Sequence, residues 1–182
     1  MRLLILPGDG IGPEISDAAE QVLRAAAGRQ GLSLGIERAE IGFAALAREG
    51  TTIPEAVIAA AKAADGVVLG PVSHNAYPPV AEGGRNPSGV LRRELGLYAN
   101  IRPARSHPAV PRPCAAAVDL VVVRENLEGF YADRNMFAGG GEFMPEPGIA
   151  IALRKITATG SRQRQVIQFD IEGRLGHYPL RR

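Results

Sequence analysis

Residues 3–15 read Leu3-Leu4-Ile5-Leu6-Pro7-Gly8-Asp9-Gly10-Ile11-Gly12-Pro13-Glu14-Ile15. Four consecutive apolar residues ending in proline and glycines describe a strand buried on both faces, followed by a tight turn. Pro13 stands where a helix begins, and Glu14 and Asp17 fall in its first turn, where negative charge favours the helix dipole. Ile15, Ala18, Ala19, Val22, Leu23 and Ala26 recur at helical spacing, and Gly28 or Gly31 can end the helix. A buried strand entering a helix through a glycine turn opens a parallel α/β sheet.

The downstream segments extend that pattern. Leu32 to Glu40 alternates weakly as a second strand. Thr52-Ile53-Pro54-Glu55 has the capping-box spacing and starts a helix with Val57, Ile58, Ala61 and Ala64 as its apolar stripe. Gly66 to Val72 is the third strand. Strand, helix, strand, helix, strand predicts an open, parallel-type sheet with flanking helices. Ser73 to Pro87 has no periodicity and reads as a functional loop. Ser88 is placed to cap a short helix with Val90, Leu91 and Leu95 on one face. Leu97–Ile101 and Val118–Val123 are strands, with a proline-rich crossover over Arg102–Pro113 between them. Gly139-Gly140-Gly141 marks a turn, and Ile149–Ile156 is a further strand. There is no internal repeat and no heptad pattern.

Composition bounds the function. The chain has 182 residues, 46% hydrophobic and 22% charged, which suits a globular protein and excludes a disordered or collagenous one. The single cysteine, Cys114, forbids an internal disulfide, so a reducing, cytoplasmic location is expected. The N-terminal apolar run is too short for a secretory signal, and no run reaches the ~18 residues of a membrane span. The net charge of +2 comes from the end of the chain: residues 162–182 hold five arginines against Asp170 and Glu172, while residues 1–161 sum to −1. Nucleic-acid binding lacks a basic stripe or a known motif.

Three constellations could carry chemistry. In Gly8-Asp9-Gly10-Ile11-Gly12 the third glycine comes one residue too early for a dinucleotide fingerprint. Asp9 and Glu14 also put negative charge where a pyrophosphate would sit. The turn is either a tight strand-to-helix connection or a loop that lets a ligand approach the backbone. Arg92, Arg102 and Arg124 lie at strand and helix ends, where open α/β sheets bind ligands. Three guanidinium forks suit a di- or tricarboxylate. Tyr131 ends the string Arg124-Glu125-Asn126-Leu127-Glu128-Gly129-Phe130-Tyr131, and a tyrosine near arginines can serve as a general acid. His74, His107 and His177 show no metal-ligand spacing, and Cys114 has no nucleophile motif around it.

These segments together resemble the isocitrate and isopropylmalate dehydrogenase family, the β-decarboxylating dehydrogenases. The resemblance rests on Leu6–Ile15, on Leu91-Arg92-Arg93-Glu94-Leu95-Gly96-Leu97-Tyr98-Ala99-Asn100-Ile101-Arg102-Pro103, and on Val123–Tyr131, in the family's order and spacing. It implies a doubly wound sheet that this chain leaves incomplete at its C-terminal end. Residues 1–100 would open the large domain, 101–161 would start the smaller one, and 162–182 would be a tail outside the family pattern.

The resemblance also implies oxidation of a 2-hydroxy acid by NAD or NADP, with loss of carbon dioxide. Magnesium or manganese would hold the substrate, and the full-length family member would be a homodimer. Arg92, Arg102 and Arg124 match the substrate-carboxylate arginines, and Tyr131 matches the tyrosine that protonates the enolate. Ile11 would contact the nicotinamide end of the cofactor. Asn86 and Ser88 fall where the variable substituent of the substrate is read. Both are polar, which favours a polar substituent over an isopropyl group, since an unmatched buried polar group costs roughly 1–3 kcal/mol. The family's metal aspartates, catalytic lysine and adenosine loop have no match in this sequence. The chain alone is therefore expected to be inactive; the alternative is a catalytically silent fragment or a regulatory or binding module of the same family.

Overall fold

The structure, a computed structural model, describes residues 1–111, 116–129 and 142–162. The chain divides into two compact units, Met1–Leu95 and Gly96–Arg182. The first contains β1 (Arg2–Leu6), α1 (Gly12–Arg29), β2 (Gly35–Arg38), α2 (Phe43–Glu49), α3 (Glu55–Ala63), β3 (Gly66–Leu69) and α4 (Pro87–Glu94). The second contains β4 (Ala99–Arg105), β5 (Asp119–Glu125), β6 (Glu142–Glu146) and β7 (Ile149–Ala152).

The first unit is an α/β layer built on a parallel sheet of order β2-β1-β3. The first crossover runs from β1 out to β2 and the second returns from β2 past β1 to β3, in the opposite direction, so right-handed connections put α1 and α3 on opposite faces. Alternation along β1 sends Leu4 and Leu6 to one face and Ile5 to the other; all three are buried. Leu4 and Leu6 join Ile41, Ile53, Val57, Ile58, Ala61, Val90 and Leu91 in one core. Each side chain withdrawn from water there contributes about 1.5–3 kcal/mol before entropy is counted.

Helix α1 turns a different face inward from the one its hydrophobic periodicity predicts. Ile15 is 44% and Val22 68% exposed, whereas Gly12, Ser16 and Ala27 are buried. The cause lies at the helix start. A Cβ on Gly12 would stand 2.0 Å from the Pro7 carbonyl oxygen, so the first turn is pressed against the strand end. That contact selects the helix face carrying small side chains.

Two other expectations are corrected. Pro54, not Thr52, stands at the N-cap of α3, and Thr52 turns away to bind the segment ahead of α4. Asn86, not Ser88, caps α4: its Oδ1 accepts the Gly89 N–H at 3.3 Å, and Pro87 takes the first turn. The short helix α2 has no counterpart in the sequence reading; Gly42 and Gly50 bracket it, both at positive φ.

In the second unit, β4 and β5 form an antiparallel ribbon, and β6 and β7 form another around Pro147-Gly148. Strand β4 runs through Pro103 to Arg105, into the segment expected to be a crossover. Proline is tolerated there because a two-stranded ribbon has only edge strands. Residues 130–141 and 163–182, with the Gly139–Gly141 turn and the expected tail, lie outside the described residues, as does Cys114. Among the described residues no helix is long and apolar enough to cross a membrane.

Candidate functional site

The turn after β1 is organised by Asp9. Its side chain is buried, with only 7% of the residue exposed. Oδ1 accepts the Phe43 N–H at 2.8 Å. Oδ2 accepts the Ser73 N–H at 2.8 Å and the Tyr77 hydroxyl. The Asp9 N–H donates to the Pro71 carbonyl at 2.8 Å. One carboxylate thus ties together the loops that follow β1, β2 and β3. Burial, and then the Asp9 carboxylate, push the Tyr77 hydroxyl well above the ordinary tyrosine range. The Tyr77 ring meets Phe43 edge to face at 5.0 Å.

This geometry decides between the two readings of the glycine turn, residue by residue. A Cβ on Gly8 would meet the Pro71 carbonyl oxygen at 2.1 Å, so Gly8 and Gly12 serve close backbone packing. Nothing stands within 4 Å of a Cβ on Gly10, and Ile11 beside it is 59% exposed. Only that pair leaves room for a ligand. The Asp9 carboxylate, expected to repel a pyrophosphate, is turned inward and accepts from three donors.

The loop from Gly70 to Asn86 is held at its far end by Thr52. The Thr52 hydroxyl donates to the Arg85 carbonyl at 2.5 Å and accepts the Arg85 N–H at 2.9 Å. The Thr52 N–H donates to the Gly83 carbonyl at 3.0 Å. Helix α4 follows, with Pro87, Val90 and Leu91 buried beneath it. Ser88 and Arg92 are four residues apart and share the adjoining face, both half-buried. The Asn86 cap engages its side-chain oxygen, so the amide Nδ2 is the group it can offer a ligand.

In the second unit the strand register brings two of the predicted arginines together. Asn100 lies opposite Arg124 and Arg102 opposite Val122, so Arg102 and Arg124 are diagonal neighbours on one face of the ribbon. Arg102 Nε donates to Asn100 Oδ1 at 3.1 Å, on that same face. Both arginines lie inside strands, not beyond their ends as the sequence suggests.

The string that follows Arg124 is a scaffold. Glu125 Oε1 accepts the N–H groups of Asn126, Leu127 and Glu128 at 2.9, 2.7 and 2.8 Å. Buried Asn126 donates from Nδ2 to the Leu97 carbonyl at 2.8 Å. The Glu128 carboxylate accepts the Thr157 N–H at 3.0 Å and its hydroxyl at 2.5 Å. The Thr157 hydroxyl, with Lys155 further off, holds Glu128 below the usual carboxylate range. Tyr131 lies outside the described residues.

Other features contribute less. Among the described residues no group of three or more His, Cys, Asp or Glu side chains could hold a metal ion. A groove of about 670 Å³ in the first unit is lined by Pro7, Pro13, Ile41 and Val57 and touches none of Asn86, Ser88 or Arg92. Its rim arginines are spoken for: Arg38 pairs with Asp17 and Glu20, and Arg48 with Glu40 and Glu49.

The chain is similar to known proteins in sequence and in fold. A family model described as isocitrate/isopropylmalate dehydrogenase matches residues 2–172, eleven residues past Ser161. A 3-isopropylmalate dehydrogenase from Oleidesulfovibrio alaskensis is 38% identical over 140 residues, 72% of this chain and 39% of that protein. An NADP isocitrate dehydrogenase from Thermus thermophilus is 36% identical over 173 residues, 93% of this chain and 31% of that protein. The crystal structure of isocitrate dehydrogenase from Methylococcus capsulatus superposes with a TM-score of 0.73 at 34% identity, covering 96% of this chain and 48% of that one. The chain thus spans less than half the length of each of these relatives. The family model over most of the chain, the relatives and the solved structure agree with the glycine turn, the arginine-bearing helix and the Arg-Glu-Asn string: the chain belongs to the isocitrate/isopropylmalate dehydrogenase family.

Proposed function

We propose that this chain carries the substrate-carboxylate part of an NAD(P)-dependent oxidative decarboxylation of a 2-hydroxy di- or tricarboxylic acid. The observation that carries the proposal is the register that sets Arg102 and Arg124 side by side on one ribbon face. Two guanidinium forks there suit paired carboxylates. The resemblance, not a shared face, supplies Arg92 of the first unit as a third carboxylate ligand, and Asn86 and Ser88, both polar and at the head of α4, favour a substrate with a polar substituent, isocitrate-like before 3-isopropylmalate-like.

A bound nicotinamide cofactor would supply the acceptor for the hydride of the substrate's hydroxyl-bearing carbon. Gly10 and Ile11 supply the open surface for its nicotinamide end. Arg92, Arg102 and Arg124 bind and orient the carboxylates. Tyr131 delivers a proton to the enolate carbon once carbon dioxide has left. Among the described residues no cluster of carboxylates would by itself hold the magnesium or manganese ion that the resemblance implies. The reading also includes a cytoplasmic location, a homodimer in the full-length family, and no nucleic-acid or membrane partner.

Calorimetric titration of the chain with isocitrate and with 3-isopropylmalate tests this reading. Isocitrate is expected to bind more tightly, and Arg102→Ala or Arg124→Ala to lose that binding. Unchanged affinity in both variants would overturn the arginine assignment. The isolated chain is proposed to bind without turning over; reduced nicotinamide formed from either acid in the presence of magnesium would refute that part. Binding of neither acid would leave the silent-module alternative.

A further inference from the structure

We propose that Thr52 is a positioning residue for substrate discrimination. The proposal rests on the reading that Asn86 and Ser88 meet the variable substituent. Thr52 is 35 positions or so of chain away from them, yet it is fully buried and its hydroxyl bonds both the N–H and the carbonyl of Arg85, the residue directly before Asn86. No other side chain among the described hydrogen bonds grips the backbone immediately ahead of α4 from both sides.

Three further contacts press the two segments together. The Thr52 N–H holds Gly83, and a Cβ on Gly83 would stand 2.0 Å from the Gly50 carbonyl oxygen. Arg85 Nη1 meets Glu55 Oε1 at 3.0 Å at the start of α3. The Thr52 carbonyl in turn accepts the Gly42 N–H at 2.7 Å, beside the Asp9 knot. The hydroxyl is therefore the adjustable element in a rigid seam: it fixes the backbone angle at Arg85, and that angle sets where the Asn86 cap and the Ser88 side chain stand.

Thr52→Val keeps the shape and both backbone bonds of residue 52 and removes the hydroxyl; Thr52→Ser keeps the hydroxyl. In hydrogen–deuterium exchange Thr52→Val is expected to raise exchange at Arg85 to Val90 while leaving the β1 amides of Leu4 to Leu6 as in the parent chain, which shows that the fold persists. In calorimetry it is expected to lower the isocitrate to 3-isopropylmalate affinity ratio by about tenfold, the scale on which small misplacements act. Thr52→Ser is expected to retain the parent ratio. A parent-like ratio in Thr52→Val, or an equal loss in both variants, overturns the proposal. If the parent chain binds neither acid, the functional reading falls and the proposal with it; raised exchange in Thr52→Val would then place the error in that reading and not in the contact.

Discussion

Replacing Asp9 with Asn is the most demanding test of the fold, because it changes one atom at the meeting point of three loops. Asp9 offers two anionic oxygens to the Phe43 N–H, the Ser73 N–H and the Tyr77 hydroxyl. An Asn side chain has one acceptor oxygen, so its amide must face one of the two backbone N–H donors. Each hydrogen bond to a charged group contributes about 1.5–3 kcal/mol, and a buried donor left without a partner costs about 1–3 kcal/mol. Tyr77 can turn its hydroxyl to accept from the new amide, which recovers about 1 kcal/mol. The expected net loss is about 2–4 kcal/mol. Tyr77→Phe keeps the ring against Phe43 and removes one bond, for a loss of about 1–2 kcal/mol. Urea unfolding followed by circular dichroism reads both values, with an urea midpoint lowered by about 1–3 M for Asp9→Asn at an unchanged slope. A loss below about 1 kcal/mol for Asp9→Asn would refute the knot.

Further outcomes are expected elsewhere. Gly12→Ala should cost about 3 kcal/mol or more in a thermal melt, because its Cβ meets rigid backbone at 2.0 Å, whereas Gly10→Ala should cost only about 1–2 kcal/mol for its positive φ; equal losses would dismiss the packing argument. Glu128 has a carboxyl held below its ordinary value, so its bonds to Thr157 stabilise above the ordinary carboxylate pKa and are lost as pH falls through the lowered one. Amide exchange at Thr157 should therefore rise on acidification, and Glu128→Gln should remove that pH dependence; an acid response that survives in the variant counts against it. The second unit exposes Ile101, Val122, Phe143, Met144 and Ile156, each by about half or more. Self-association is expected in sedimentation velocity, and a single monomeric boundary across a wide concentration range would contradict it.

The strand–turn–helix opening was legible because each step had a local cause: an apolar run, then glycines, then proline in a first turn. The inward face of α1 was not, since it follows from the contact between Gly12 and Pro7, which hydrophobic periodicity does not register. Thr52 carried a capping-box signature that a longer-range partner, Arg85, overrode. Asn86 outcompeted Ser88 as the cap because Pro87 fixes the first turn directly after it. Arg92, Arg102 and Arg124 stand out in the sequence by their places at strand and helix ends and through the family resemblance, but the pairing of Arg102 and Arg124 on one ribbon face depends on a register that only the folded ribbon reveals. The roles of Asp9, Tyr77 and Asn126 were missed because their partners lie 29 to 68 residues away. The one available signal was an acidic residue inside a glycine turn, which made sense only once its donors were known.

The β4–β5 register has a consequence for how such a chain tolerates change in length. Arg102 and Arg124 share a face only because Asn100 stands opposite Arg124. A single residue inserted between positions 100 and 102, or a one-residue slip of either strand, would send one guanidinium to the reverse side of the ribbon and leave the other where it was. The connection between the strands is different: it is closed at its base by the Ser106 N–H donating to the Val118 carbonyl at 2.7 Å. Residues can be added or removed beyond that closure without disturbing the pair. Insertions and deletions between residues 107 and 117 are thus silent for the arginines, while those on the strand side of it are not.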